Sequence, residues 1–181
     1  MQIGVDIGGT KIEAALISSN KILKRIILPT EADKSKEHIL NNILNTISGV
    51  KKEGITRIGI GIPGRQDSGK IIFIPNIPTL ANFNLKHFLE NKFGCKISIE
   101  NDAACFTLAE HRYGAGKGCR NIIGITLGTG IGGGKIIDNL FKWCLLIKLL
   151  LREGLDTISM ALSKSLVSGI FGKFKNLRVL L

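Results

Sequence analysis

The stretch Ile3-Gly4-Val5-Asp6-Ile7-Gly8-Gly9-Thr10-Lys11-Ile12 (residues 3–12) decides how the fold of this 181-residue chain begins. Strand-like apolar residues precede the Gly8-Gly9 turn, and a second apolar run, residues 12–17, follows it. A third β-rich segment, residues 22–28, ends before Pro29. The order strand, glycine turn, strand, strand predicts a hairpin meander at the start of a sheet.

After the meander, segments whose apolar residues have helical spacing alternate with short apolar segments typical of strands. Ser35 can cap a helix that reaches Lys52, and Gly54 can end it. Asn84 can cap a second helix, and Asn101-Asp102 opens a third. The predicted elements are strands at 57–62, 71–74, 95–100, 121–127 and 135–137, and helices at 35–52, 84–93 and 103–113. Mixed strands and helices predict an α/β fold.

A second glycine-rich loop, residues 128–134, has five glycines in seven residues, more than a plain turn needs. Neither loop is a GxGxxG segment that opens a helix, and a Walker GxxxxGK[ST] loop is missing. These two patterns argue against dinucleotide-binding and P-loop folds. Two glycine turns between strands favour a site that holds a polyphosphate from both sides.

Several single residues allow both a structural and a functional interpretation. The Gly8-Gly9 turn can be a plain tight hairpin or a nest of backbone N–H groups for phosphate. Asp6 can be a solvated carboxylate or a ligand of hydrated Mg²⁺. Asp102 can be a helix N-cap or a general base for a substrate hydroxyl, which Asn101 would position. Because the two glycine loops accompany it, the general base is favoured.

Composition excludes some classes of function. The four cysteines form no CxxC pair, which disfavours a zinc site or a disulfide framework. The chain begins without a secretory leader, and its longest apolar runs are too short to span a bilayer, so we expect a cytoplasmic protein without a membrane partner. Residues 1–138 have a net charge of +6 and residues 139–181 one of +5. No nucleic-acid-binding motif accompanies this charge, so no nucleic-acid partner is expected.

The motifs VDIGGTKIEAAL at 5–16, GIPG at 61–64, ENDAACFTLAE at 100–110 and LGTGIGGG at 127–134 resemble those of the ROK family of sugar kinases and repressors. The resemblance covers residues 1–138. It implies an actin-like, ribonuclease-H-like ATPase fold, with an N-terminal lobe at 1–115 and the start of a second lobe at 116–138. Residues 139–181 would be an atypical, basic, leucine-rich tail.

The resemblance also implies roles for individual residues. Asp102 matches the catalytic base, and Asp6 is a candidate magnesium ligand. The phosphate motifs correspond to Asp6, Gly8, Gly9, Thr10 and Lys11, and to Gly128, Thr129, Gly130 and Gly132. The sugar contacts correspond to Gly64, Arg65, Asn76, Asn82 and Asn101. The implied cofactors are ATP and Mg²⁺, the substrate is a hexose or amino sugar, and a homodimer is common in the family.

The chain departs from the family pattern after the second loop. The usual Glu-x-Gly-His motif and the cysteine-rich zinc cluster that follows it are missing, so zinc is not expected. Residues 139–181 contain 12 leucines and only two acidic residues, Glu153 and Asp156. We expect a truncated member of the family, with the tail translated in a shifted frame; the alternative is a genuine short variant that ends in an amphipathic helix.

The predicted function by descent is ATP-dependent phosphorylation of a hexose or amino sugar, with weak or absent turnover by this short chain. The alternative is a non-catalytic protein that binds sugar or nucleotide. Which sugar is used depends on contacts that the motifs do not define.

Overall fold

The structure, a computed structural model, describes residues 1–127, 131–142 and 177–180. The chain divides into two compact units, Met1–Asp102 and a second that starts at Ala103. In chain order the helices and strands are β1 (Gln2–Ile7), β2 (Lys11–Ser18), β3 (Lys21–Pro29), α1 (Lys36–Val50), β4 (Arg57–Ile62), β5 (Arg65–Asp67), β6 (Lys70–Phe73), α2 (Leu85–Phe93), β7 (Lys96–Asn101), α3 (Asp102–Tyr113), β8 (Asn121–Leu127), β9 (Ile131–Ile137), β10 (Leu140–Lys142) and β11 (Leu177–Leu180).

The first unit is built on a five-stranded sheet in the order β3-β2-β1-β4-β7. Strands β1, β2 and β3 are antiparallel neighbours, which confirms the predicted meander. Strands β4 and β7 add in parallel to β1. Alternate residues of β1 and β2 are buried, including Ile3, Val5, Ile12 and Leu16. The sheet therefore contributes one apolar face to the core of this unit.

Helix α1 covers the core side of the sheet with residues spaced three and four apart, since Ile39, Ile43 and Ile47 are fully buried. The predicted cap is confirmed, because the Ser35 side chain accepts a hydrogen bond from the His38 N–H at 3.2 Å. The predicted end at Gly54 is wrong. The helix ends at Val50 because Lys51 turns to extended backbone while its N–H still donates to the Ile47 and Ser48 carbonyls.

Between β4 and β7 the chain contains the predicted strand at 71–74, which the structure places at Lys70–Phe73, and two elements that the sequence did not predict, β5 and a 3-10 turn. A short hairpin, β5–β6, follows Gly64, and a 3-10 turn follows at Pro78–Leu80. The predicted cap of α2 is confirmed, since the Asn84 side chain accepts from the His87 N–H at 3.0 Å. Gly94, in the left-handed conformation, ends that helix.

The second unit contains a sheet in the order β10-β9-β8-β11. Strand β9 begins at Ile131, so the prediction that the glycine loop extends to residue 134 is wrong. The reason is close packing: a Cβ on Gly132 would lie 2.7 Å from the Cβ of Ala103 in α3. A side chain at Gly124 on β8 would likewise collide with Thr107 of α3.

Two short strands lie within the predicted tail of residues 139–181. Strand β10 pairs with β9, and β11 pairs in parallel with β8. The rest of the tail, where the shifted frame or the amphipathic helix was expected, lies outside the described residues. Within the described part of the chain, no helix has both the length and the apolar character needed to span a membrane.

Candidate functional site

Polar residues of the sequence motifs meet at the carboxyl edge of the three parallel strands in the first unit. Asp6 on β1 is aligned with Gly61 on β4, and Gly61 is aligned with Glu100 on β7. One step further along, Ile62 is aligned with Asn101, and Asp102 follows directly. In open α/β sheets this edge is where ligands bind. The strand register therefore brings Asp6, Asn101 and Asp102 to one place, although almost a hundred residues separate them.

Asn101 is tied to the predicted sugar-binding turn after β4. Its side-chain Nδ2 donates to the Gly64 carbonyl at 3.1 Å, and its backbone N–H donates to the Glu100 carboxylate at 2.8 Å. Gly64 has no room for a side chain, because a Cβ would collide with the Phe73 carbonyl on β6. Two predicted sugar contacts, Gly64 and Asn101, are thus held together by a direct hydrogen bond.

The first glycine loop lies against another predicted sugar contact, Asn76. A Cβ on Gly9 would be 2.7 Å from the Asn76 Cβ and 3.3 Å from the Asn76 carbonyl oxygen. Such distances exclude any residue larger than glycine without movement of Asn76. The close approach of the loop to Asn76 therefore accounts for Gly9 without a bound phosphate.

The carboxylates at this edge repel one another. The pKa of Asp6 is raised, first by partial desolvation and then by the charges of Asp102 and Glu13, while Lys11 opposes the shift. The Asp6 side chain nevertheless remains accessible to solvent. A cation bound at Asp6 would relieve this repulsion.

Lys11 is engaged with a neighbouring acid in this structure. Its ammonium lies 3.4 Å from the Glu13 carboxylate, which also binds the Arg25 guanidinium at 2.6 Å. These contacts lower the pKa of Glu13, with the Arg25 hydrogen bond as the largest cause. Lys11 is exposed and its side chain is long, so its ammonium can leave Glu13 for a phosphate at low cost.

The remaining predicted site residues do not take part in the site contacts described above. Arg65 is exposed at the start of β5, and Asn82 is exposed with a left-handed φ of 62° after the 3-10 turn. Thr10 is exposed in the first glycine loop. Gly128, Thr129 and Gly130 lie outside the described residues, and Gly132 lies in β9, where packing against α3 explains it.

The carboxylates at this edge are too few to bind a metal ion by themselves, but they suit Mg²⁺ that is also bound by phosphate and water. No cluster of three or more His, Cys, Asp or Glu side chains that could hold a metal ion occurs among residues 1–127, 131–142 and 177–180. Magnesium needs only one or two carboxylates when phosphate oxygens and water complete its shell. Asp6, exposed and repelled by neighbouring acids, fits that requirement.

A further residue at the site, Thr30, was not predicted from the sequence. This threonine is fully buried just after β3, and its hydroxyl donates to the Gly8 carbonyl at 2.6 Å. Its backbone N–H donates to the Thr10 carbonyl at 3.0 Å. Because Thr30 and Gly8 are 22 residues apart, the local sequence pattern does not indicate their contact, and only the structure shows it.

Comparison with known proteins agrees with the fold and with the arrangement of these motifs. The profile of the ROK family matches residues 2–142. The chain belongs to the ROK family. It is 42% identical over 138 residues to a glucokinase of Thermotoga maritima, a match that covers 74% of this chain and 44% of that protein. It is 35% identical to an N-acetyl-D-glucosamine kinase of Photobacterium profundum, with 76% of this chain and 46% of that protein covered.

Solved structures place the chain in the same fold. A ROK family glucokinase of Streptomyces griseus, determined with glucose and AMPPNP, superposes with a TM-score of 0.69 at 38% identity. That match covers 78% of this chain and 46% of the glucokinase. This ROK protein therefore has the mixed α/β, actin-like ATPase fold of the family's sugar kinases, and it spans less than half the length of these three relatives.

Proposed function

We propose that this ROK protein carries the site for ATP-dependent transfer of a phosphoryl group to a hydroxyl of a hexose or amino sugar. The observation that carries the proposal is the meeting of Asp6, Asn101 and Asp102 at one sheet edge, with Gly64 hydrogen-bonded to Asn101. Relatives named glucokinase and N-acetyl-D-glucosamine kinase match most of this chain.

On the acceptor side, Asp102 is the general base. Its carboxylate accepts the proton of the attacking sugar hydroxyl, as carboxylates do in other phosphoryl transfers. Asn101 orients the same hydroxyl, and its hydrogen bond to Gly64 fixes the position of its own side chain. The other proposed sugar contacts are Gly64, Arg65, Asn76 and Asn82. Positioning of the hydroxyl against the phosphoryl group would supply much of the rate enhancement.

On the phosphate side, the first loop offers the backbone N–H groups of Gly9 and Thr10, with the Lys11 ammonium beside them. Asp6 would hold Mg²⁺ through its carboxylate. When bound, ATP would supply the phosphoryl group, and Mg²⁺ would neutralise charge on the phosphate oxygens. The proposed second contact, by Gly128, Thr129, Gly130 and Gly132, belongs to residues that lie mostly outside the described part of the chain.

The direct test is transfer of label from γ-labelled ATP to a sugar panel in the presence of Mg²⁺, with glucose, fructose, N-acetylglucosamine and N-acetylmannosamine. Because the chain spans less than half the length of its relatives, slow transfer is expected. Labelled sugar phosphate that forms only when both sugar and chain are present supports the proposal. Absence of label with every sugar contradicts it.

The alternative is a ROK protein that binds sugar or nucleotide without turnover. Calorimetric titration with the same sugars and with Mg·AMPPNP distinguishes the two functions. Binding of either ligand without label transfer favours the alternative. The cytoplasmic location and the homodimer remain predictions from the sequence, and size-exclusion chromatography with light scattering tests the second.

A further inference from the structure

Thr30 makes two hydrogen bonds to the first phosphate loop from a buried position. The hydroxyl donates to the Gly8 carbonyl at 2.6 Å, and the backbone N–H donates to the Thr10 carbonyl at 3.0 Å. The side chain is fully buried, so water does not compete for these bonds. Within the loop, the Gly8 N–H donates to the Lys11 carbonyl at 2.9 Å.

These bonds orient the peptide groups of the loop. In a trans peptide the C=O and the following N–H point in opposite directions. Fixing the Gly8 carbonyl therefore fixes the direction of the Gly9 N–H, and fixing the Thr10 carbonyl fixes that of the Lys11 N–H. A glycine pair has many accessible conformations, so a loop that must present N–H groups to phosphate gains from such restraint.

Thr30 is itself anchored to α1 on both sides. The following residue, Glu31, has a left-handed φ of 54°, and its carboxylate lies 2.6 Å from His38 Nε2 and accepts from Asn42 Nδ2 at 3.0 Å. The preceding residue, Pro29, accepts from the same Asn42 side chain at 3.3 Å. These contacts link Thr30, and through it the glycine loop, to a helix of the core.

We propose that Thr30 is a positioning residue that holds the first glycine loop in the shape that binds nucleotide phosphates. The inference rests on the proposed function, because it assigns the loop to phosphate. It adds a residue outside the sequence motifs. Thr30 touches neither nucleotide nor sugar and acts only through the Gly8 and Thr10 carbonyls.

The test compares Thr30→Val, which removes the hydroxyl at nearly constant volume, with Thr30→Ser, which keeps it. The matched control is Thr46→Val. Thr46 is also fully buried, and its hydroxyl donates to the Asn42 carbonyl at 2.7 Å within α1. Both valine variants lose one buried hydrogen bond, so a general loss of stability affects both.

Two measurements are made on the full 181-residue chain. The first is hydrogen exchange of the backbone amides of residues 8–11 without ligand, and the second is the calorimetric affinity for Mg·AMPPNP. In Thr30→Val we expect loop exchange faster by about tenfold and affinity weaker by about tenfold, the scale of one lost hydrogen bond. Thr30→Ser and Thr46→Val should match the wild type in both measurements.

If the loop amides of Thr30→Val exchange no faster than those of Thr46→Val, the proposal is wrong. It is also wrong if the loop amides of Thr30→Ser exchange as fast as those of Thr30→Val. Faster loop exchange with unchanged affinity, in a wild type that binds Mg·AMPPNP, would also overturn it. A wild type that binds no Mg·AMPPNP counts against the proposed function, and loop exchange alone then decides the role of Thr30.

Discussion

At Asp6, the stability of the fold and the proposed function make opposite demands on the side chain. Its pKa is raised by partial desolvation and by the charges of Asp102 and Glu13, so its surroundings disfavour the ionised form. Without a bound ligand, a neutral side chain at this position would make the folded state more stable than the ionised carboxylate does. A site that binds Mg·ATP, in contrast, needs the negative charge.

We therefore predict that Asp6→Asn raises the melting temperature near neutral pH in Mg²⁺-free buffer. A raised folded-state pKa means that the ionised carboxylate costs stability at a pH above that pKa. The cost disappears as the pH falls through it, so wild type and variant should converge in acid. Thermal denaturation from neutral pH to below the ordinary aspartate pKa measures the difference.

The control for this experiment is Asp33→Asn, because the Asp33 side chain is 75% exposed in the loop before α1. It should change the melting temperature little at any pH. A neutral-pH melting temperature of Asp6→Asn below that of the wild type would contradict the assignment of electrostatic strain to Asp6.

Gly9 is a second residue whose identity the structure explains. We predict that Gly9→Ala lowers the free energy of unfolding by about 1–3 kcal/mol, because its Cβ would overlap with Asn76. Gly59→Ala is the matched control, since a Cβ on Gly59 in β4 meets no atom within 4 Å. Urea denaturation measures both. Equal stability of the two variants would show that Asn76 moves away freely.

Among single residues, the sequence predicted those that lie in motifs and missed the one that does not. Asp6, Asn101 and Asp102 were predicted because each ends a strand pattern, and the structure brings them to one edge. Their roles remain predictions. Thr30 could not be predicted, because its bond to Gly8 joins residues far apart in the sequence and depends on the three-dimensional course of β3.

Among the elements, helix α1 packs its apolar face into the core beside the sheet that carries the candidate site. Ile43, in the middle of its apolar stripe, is fully buried. We predict that Ile43→Ala lowers the free energy of unfolding by about 2–5 kcal/mol through the cavity that it leaves. Ile22→Ala on β3 is the control, since Ile22 is 63% exposed and its loss should cost less than about 0.5 kcal/mol.

Chemical denaturation of the two isoleucine variants checks this prediction. A similar, small loss of stability in both would mean that α1 contributes little to the core of the first unit. Because α1 also carries His38 and Asn42, which hold Glu31, a weakened helix should in addition increase hydrogen exchange near Thr30.

The elements predicted well from the sequence are those in which a regular apolar spacing continues over many residues. Helices α1 and α2 were predicted with their caps, because apolar spacing and a capping side chain agree. Strands β5, β10 and β11 have only three or four residues, too few to show an alternating pattern. The start of β9 was missed because its glycines, needed for packing against α3, look like a loop.

At the scale of the whole molecule, the proposed acceptor residues and the first phosphate loop all belong to the first compact unit, Met1–Asp102. The region that matches the ROK family, residues 2–142, includes all of that unit except Met1. The predicted division at residues 115 and 138 remains a prediction, as does slow turnover.

The role of Asp102 in the proposed function is tested by label transfer from γ-labelled ATP to sugar, with wild type, Asp102→Asn and Asp33→Asn under identical conditions with Mg²⁺. We expect slow, sugar-dependent transfer by the wild type and by Asp33→Asn. In Asp102→Asn we expect a loss of about a hundredfold or more, the scale of a general base. Transfer by Asp102→Asn at the wild-type rate would show that Asp102 is not the general base.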